Sequence, residues 1–218
     1  MCVLLWYDTH PDVVQFACTV TTVQTVITVR RENSWKLGLG EVSATEAAEA
    51  LAINTLAPFV LNSRLKPLLT PPDYTQDPAE HQDQQVSAGG NGRHGDIRDY
   101  SYVINVSAME GKFYRKKTAA HPHTNMAKAA LNMMTRTSAQ EYSKCGILMN
   151  SVDTGWINDE NPAHIAARLA AEHGAYGFAT PLDEVDAAAR ILDPVFAGVN
   201  EGLRTAGLFF KDYAPTEW

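Results

Sequence analysis

Two short runs dense in large apolar residues, Tyr102-Val-Ile-Asn-Val106 and Ile147-Leu-Met-Asn-Ser-Val152, stand on either side of a helical pattern from Asn125 to Lys144. Nothing else in the chain constrains the fold as tightly. Ala129, Ala130, Met133 and Met134 line one side of that helix, and Gly146 follows its end. Downstream, Thr180-Pro181-Leu-Asp183-Glu184 offers a cap, a proline at the first helical position and acids in the first turn. That helix runs through Ala187–Ala189 and Ile191 towards Val199, and Leu208-Phe-Phe210 reads as a last strand. Upstream, Ser43-Ala-Thr-Glu46 is a capping box opening a helix to about Leu69, with Pro58 and Pro67 as points where it kinks or ends. Val20 to Val29 is β-branched and reads as a strand, whereas the residues before it show no clear period. Strands alternating with long helices specify an α/β domain with a mostly parallel sheet.

The 218 residues suffice for one sizeable domain and are short for two, and no internal repeat is visible. Residues 70–99 change character: Pro71, Pro72, Pro78, Gly89, Gly90, Gly92 and Gly95 accompany many Asp and Gln and few large apolar residues. Burial there cannot offset the entropy of ordering, so this stretch is expected to be a polar, flexible insertion. Eighteen Lys and Arg against twenty-five Asp and Glu leave a formal charge of −7, which argues against nucleic acid and anionic membrane as partners. No apolar run approaches the roughly 18 residues of a membrane span. Cys2, Cys18 and Cys145 are odd in number and widely spaced, so neither a disulfide framework nor a zinc site is expected, and a reducing compartment is. The N-terminal apolar run lacks a basic flank and ends at Asp8, too soon for a secretory leader, which makes the cytoplasm the expected address.

Between Asn105 and Trp156 the residues resemble a known family. Asn105-Val-Ser107 closes one strand, Thr124-Asn-Met-Ala-Lys128-Ala-Ala-Leu-Asn132 opens the next helix, and Asn150-Ser-Val-Asp-Thr-Gly155-Trp-Ile157 follows the next strand. Upstream lies Ile53-Asn54-Thr-Leu-Ala-Pro58-Phe59. In this order, covering residues from about 33 to the C-terminus, the four motifs are similar to the C-terminal portion of a short-chain dehydrogenase/reductase. The resemblance implies a Rossmann-like three-layer α/β/α fold, a single domain over 1–218 with a divergent segment 1–30, and an NAD- or NADP-dependent oxidoreductase acting on a carbonyl or secondary alcohol. It also implies roles. Ser107 would orient the substrate, Lys128 would bind the nicotinamide ribose and lower the pKa of a neighbouring acid, and Asn54 would support a proton relay through water. Asp153, Thr154, Gly155 and Trp156 would form the turn beside the nicotinamide. A small-molecule substrate is expected, as is a homo-oligomer pairing through helices near Ala47–Leu69 and Asn125–Lys144.

Physical chemistry asks for such groups on its own terms. Hydride transfer to a carbonyl needs an acid held at hydrogen-bond distance from the oxygen. A phenol serves if a nearby ammonium draws its pKa down from about 10, and residues four apart on a helix share a face. Four before Lys128, however, stands Thr124. An aliphatic hydroxyl is a very poor acid, so direct replacement would remove a factor of roughly 10²–10⁴; Thr124 also reads as the N-cap of its helix. The long stretch from Glu110 to His123 offers Tyr114 first as a looped-in phenol, and His121 or His123 after it, since imidazole titrates near neutrality. No G-x-G-x-x-G or G-x-x-x-G-x-G occurs between Met1 and Arg31, and Gly89-Gly90-Asn91-Gly92 follows a helix rather than a strand. The N-terminal strands are therefore expected to be incomplete, as in a truncated product, a faulty gene model or a degenerate paralogue. Such a sheet would expose an edge and favour association. The alternative function is accordingly a catalytically inactive pseudoenzyme kept as an interaction or oligomerisation module.

Overall fold

The computed structural model describes residues 2–5, 16–17, 34–75, 100–114, 116–157 and 181–218. In chain order these form β1 (Cys2–Leu5), β2 (Phe16–Ala17), α1 (Ala44–Leu51), α2 (Ala57–Leu69), β3 (Ser101–Ser107), α3 (Pro122–Ser143), β4 (Ile147–Asp153), α4 (Glu184–Glu201), β5 (Phe209–Lys211) and β6 (Ala214–Thr216). They build an open six-stranded sheet in the order β2-β1-β3-β4-β5-β6. Its centre, β3-β4-β5, is parallel, and its margins are antiparallel. The register sets Ser107 opposite Asp153 and Asp153 opposite Lys211, so three strands end level at one edge.

Alternation along the strands supplies the layers. Tyr102, Ile104, Leu148, Val152 and Phe210 pack under Ile191 and Val195 of α4. Val103, Ile147 and Met149 face the other way, against Leu69 of α2 and Ala139 and Tyr142 of α3. This is the three-layer α/β/α arrangement expected. Within the second layer runs a buried polar seam. Asn62 Nδ2 donates to Asn105 Oδ1 (3.2 Å), and Asn105 Nδ2 and Ser151 Oγ both donate to Thr135 Oγ1 (2.9 Å each). Thr135 in turn donates to the carbonyl of Leu131 at 3.0 Å.

The helix expected from Ser43 to Leu69 is present, with Ser43 accepting from the Glu46 N–H at 3.1 Å. It is interrupted by a π-helical turn, Ala52–Leu56. Pro58 has no N–H to return to the carbonyl of Asn54, four residues back, and the wider turn absorbs that gap.

Several expectations are corrected. Helix α3 begins at Pro122 rather than Asn125, because a proline is best placed at the first helical position, where no N–H is required. Helix α4 is capped by Asp183, not Thr180. Its carboxylate accepts from Val185 and Asp186, and Asp186 reaches back to the Asp183 N–H, so a reciprocal box outcompetes the lone threonine. The edge expected to be bare is covered. Cys2–Leu5, which shows no periodicity of its own, pairs antiparallel with β3. The strand expected at Val20–Val29, most of the polar stretch 70–99 and the segment 158–180 lie outside the described residues.

Candidate functional site

Ser107 closes β3 at the level edge of the sheet. It is buried (3% exposed), and its Oγ has no hydrogen-bond partner among the described residues. A buried hydroxyl left without a partner costs about 1–3 kcal/mol, so one here points to a group that arrives from outside. Next to it, Lys128 of α3 donates from Nζ to the carbonyl of Val106 at 3.0 Å. Burial pulls the Lys128 pKa below its ordinary value, against the opposing charges of Glu110 and Asp153. An ammonium with a depressed pKa and spare donors, beside an unengaged hydroxyl, can hold polar oxygens of a ligand and polarise them.

Two contacts fix where Lys128 stands. The π-helical turn docks on α3 by a bond from Thr55 Oγ1 to the carbonyl of Ala127, at 2.9 Å. Gly111, after β3, lies so close to α3 that an added Cβ would fall 2.8 Å from the carbonyl of Lys128 and 2.6 Å from Asn132 Nδ2. Gly111 was not legible as a site residue; its only signal is a glycine four residues past Ser107. Asn54 sits in the π-helical turn, where its Nδ2 donates to the carbonyl of Ala50 at 3.0 Å. π-Helical turns are frequent at functional sites.

At the end of β4 the turn residues play a supporting part. Asp153 Oδ1 accepts from the Gly155 N–H (2.8 Å) and Oδ2 from Lys211 Nζ (2.9 Å), so both carboxylate oxygens are engaged by the protein itself. Gly155 has φ +80°, a left-handed conformation that a side chain would strain. Thr154 Oγ1 lies 3.5 Å from the Gly155 carbonyl, and Trp156 is half exposed beyond it. Asp153 thus shapes the turn, and Gly155 and Trp156 present it.

The acid position needs two corrections. Thr124 is not the N-cap: His121 holds that place with φ 44°, and Thr124 sits three residues into the helix. The Thr124 hydroxyl donates to the His121 carbonyl (2.9 Å) and lies 3.2 Å from His121 Nδ1. The Tyr114 phenol belongs to another cluster. It accepts from Lys112 Nζ at 2.9 Å and lies 3.3 Å from Thr216 Oγ1 of β6, while Lys112, wholly buried, stands 4.5 Å above the Phe209 ring. That holds the phenol at the β5–β6 side of the sheet. β5 is two strands, about 10 Å, from the β3 end that Lys128 touches. Tyr114 is therefore drawn away from Lys128 by a pairing with the C-terminal strand that spacing alone does not reveal.

No helix among the described residues is long and apolar enough to cross a membrane, and no group of His, Cys, Asp and Glu among them could hold a metal ion.

No protein-family model matches the chain. An uncharacterised protein of Acanthamoeba polyphaga mimivirus is 29% identical over 178 residues, 78% of this chain but 31% of that protein. Among solved structures, the NADPH-bound carbonyl reductase from chicken fatty liver superimposes with a TM-score of 0.52 at 16% identity, covering 87% of this chain and 64% of that one. The carbonyl reductase Sniffer of D. melanogaster (20% identity) and a short-chain dehydrogenase/reductase from Burkholderia multivorans with bound NADP (16%) give the same score, each covering 84% of this chain. The fold is that of the short-chain dehydrogenase/reductases. The chain spans less than two thirds of the length of these relatives, 61–64% of the solved structures and 31% of the viral protein.

Against a nicotinamide dinucleotide, the residues present fit one end. The unpartnered Ser107 Oγ and the buried Lys128 ammonium suit a carbonyl substrate and a ribose. A glycine-rich turn for the pyrophosphate does not occur in residues 1–31.

Proposed function

We propose that this chain provides the substrate and nicotinamide end of an NAD(P)-dependent oxidoreductase of the short-chain type, acting on a carbonyl or secondary alcohol. The observation that carries this is the buried, unengaged Ser107 hydroxyl beside Lys128. When bound, a reduced nicotinamide supplies the hydride. Ser107 donates to the carbonyl oxygen and fixes its direction. Lys128 holds ribose hydroxyls with the donors not given to Val106 and stabilises negative charge nearby. Asn54, on the π-helical turn beside Ala127, supports a water path to Lys128. The turn Asp153-Thr154-Gly155-Trp156 closes one side.

Titration with NADH and NADPH, followed by cofactor fluorescence, tests this. Binding is expected to be weak, since residues 1–31 carry no glycine-rich pyrophosphate turn, and to fall at least tenfold in Lys128→Met. Absence of binding at millimolar cofactor would exclude the reading.

The second reading, an association module, rests on a different observation. Ile53, Leu56 and Phe59 are exposed on one helix and Met126 and Met133 on its neighbour, making an apolar face across α1–α2 and α3. A homo-oligomer burying this face is expected by light scattering, with Phe59→Glu shifting it towards monomer. A wild-type monomer at high concentration would remove it.

A further inference from the structure

We infer that His121 is the proton source at this site and that Thr124 passes the proton on. This rests on the oxidoreductase reading above and answers the question that reading leaves open, namely how a site with threonine at the acid position can protonate an oxygen.

The geometry begins with the helix start. Thr124 stands four residues before Lys128 and so on the same face of α3. Its hydroxyl donates to the His121 carbonyl, which leaves the Oγ1 lone pairs to accept from His121 Nδ1–H at 3.2 Å. His121 is held for this contact from three sides. Its left-handed backbone turns the chain at the N-cap, its N–H donates to the Leu37 carbonyl at 2.8 Å, and its ring lies flat on Trp35, with centroids 4.2 Å apart and planes within 5°. A residue in that strained conformation persists only where its surroundings hold it, and such residues gather at functional sites. His123 is a poorer choice, because it is buried on the helix stripe with Ala127 and Leu131, facing the interior.

In the reductive direction a reduced nicotinamide, when bound, would supply the hydride to the carbonyl carbon, and the π-bond electrons would pass to the oxygen, which then needs a proton. That oxygen takes the proton of Thr124 Oγ1, while Oγ1 takes the Nδ1 proton of the His121 imidazolium, leaving neutral imidazole. The threonine ends as it began, so its own acidity does not limit the step. Among the described residues, the charged and titratable groups around His121 are Glu110 before it, Lys117 in the preceding loop and His123 on α3. Burial lowers the His121 pKa, Glu110 opposes that, and His123 and Lys117 reinforce it. The acting form is the protonated one, and its pKa lies below the usual 6.5, so the reductive rate is full at acid pH and declines as pH rises through that lowered value.

The test uses NADPH with 4-nitrobenzaldehyde as the carbonyl probe. The pH profile of kcat/KM is expected to show one declining limb with a midpoint below 6.5. His121→Gln and Thr124→Val each remove the limb and lower the rate by about 10² or more, and Thr124→Ser retains the limb. Thr124→Tyr placed on His121→Gln restores turnover with a limb in the phenol range. In the cofactor-free protein, the ¹⁵N titration of His121 should change its midpoint in Thr124→Val. A limb that persists in His121→Gln, or a His121 titration indifferent to Thr124→Val, overturns the relay. If NADPH fluorescence shows normal binding in those same samples, only the relay falls; if no variant binds NADPH, the oxidoreductase reading falls and the relay with it.

Discussion

Thr135→Val is expected to destabilise the protein by about 2–6 kcal/mol, although the two side chains have nearly the same shape. Thr135 is wholly buried, and its Oγ1 is the shared acceptor for Asn105 Nδ2 and Ser151 Oγ, from the two central strands. Valine fills the volume but accepts nothing. Two donors are then buried without partners, each at about 1–3 kcal/mol. The effect should appear as a lower urea midpoint with an unchanged slope, because the surface exposed on unfolding is the same. Thr135→Ser keeps the oxygen, loses one methyl, and should cost only about 1 kcal/mol. A valine variant as stable as wild type would mean that Asn105 and Ser151 find other acceptors. Because Asn105 also accepts from Asn62 of α2, the perturbation should reach the contact of that helix with β3.

Lys211→Met is the second large effect. Asp153 is buried at the end of β4, and Lys211 places a full positive charge against its Oδ2, at 2.9 Å. Removing one partner of a buried pair typically costs about 3–5 kcal/mol. The Lys211 side chain is 24% exposed, so water screens part of the interaction and about 2–4 kcal/mol is expected. Adding Asp153→Asn should recover much of this, since an amide still accepts from the Gly155 N–H without leaving a charge uncompensated. The double-mutant cycle measures that coupling directly, and strictly additive losses would show that the pair contributes nothing. On the proposed oxidoreductase reading, cofactor affinity should fall in Lys211→Met as well, because the carboxylate that organises the Gly155 turn loses its anchor.

Much of the architecture was legible because it is written locally. The β3–α3–β4 unit announces itself by apolar runs and a helical period, and α1 by a capping box. What failed was settled by longer reach. Cys2–Leu5 carries no pattern of its own and becomes a strand through the exposed edge of β3, about a hundred residues away. Ala214–Thr216 is too short to signal and exists by pairing with β5. At the candidate site, the sequence marks Ser107 and Lys128 by position, and the structure places the Lys128 ammonium on the carbonyl of the residue preceding Ser107. Tyr114 misled because a phenol in a loop shows its chemistry but not its neighbours; the buried Lys112 takes it elsewhere. Gly111 was missed because its role lies in what it does not carry. His121 was visible only as one titratable residue among several until its ring was seen against Trp35 and its Nδ1 against Thr124.

Because β1 runs against β3, it brings its leading residue, Cys2, opposite Asn105, towards the edge where β3, β4 and β5 bring their trailing ends. Backbone polarity therefore reverses one strand away from Ser107. Aligned trailing ends extend over three strands, a footprint of about 10 Å from β3 to β5. A molecule lying over that footprint meets the chain as it leaves β3, β4 and β5; one reaching past it towards β1 meets a strand that starts where the others finish and must take its contacts from chain running the opposite way.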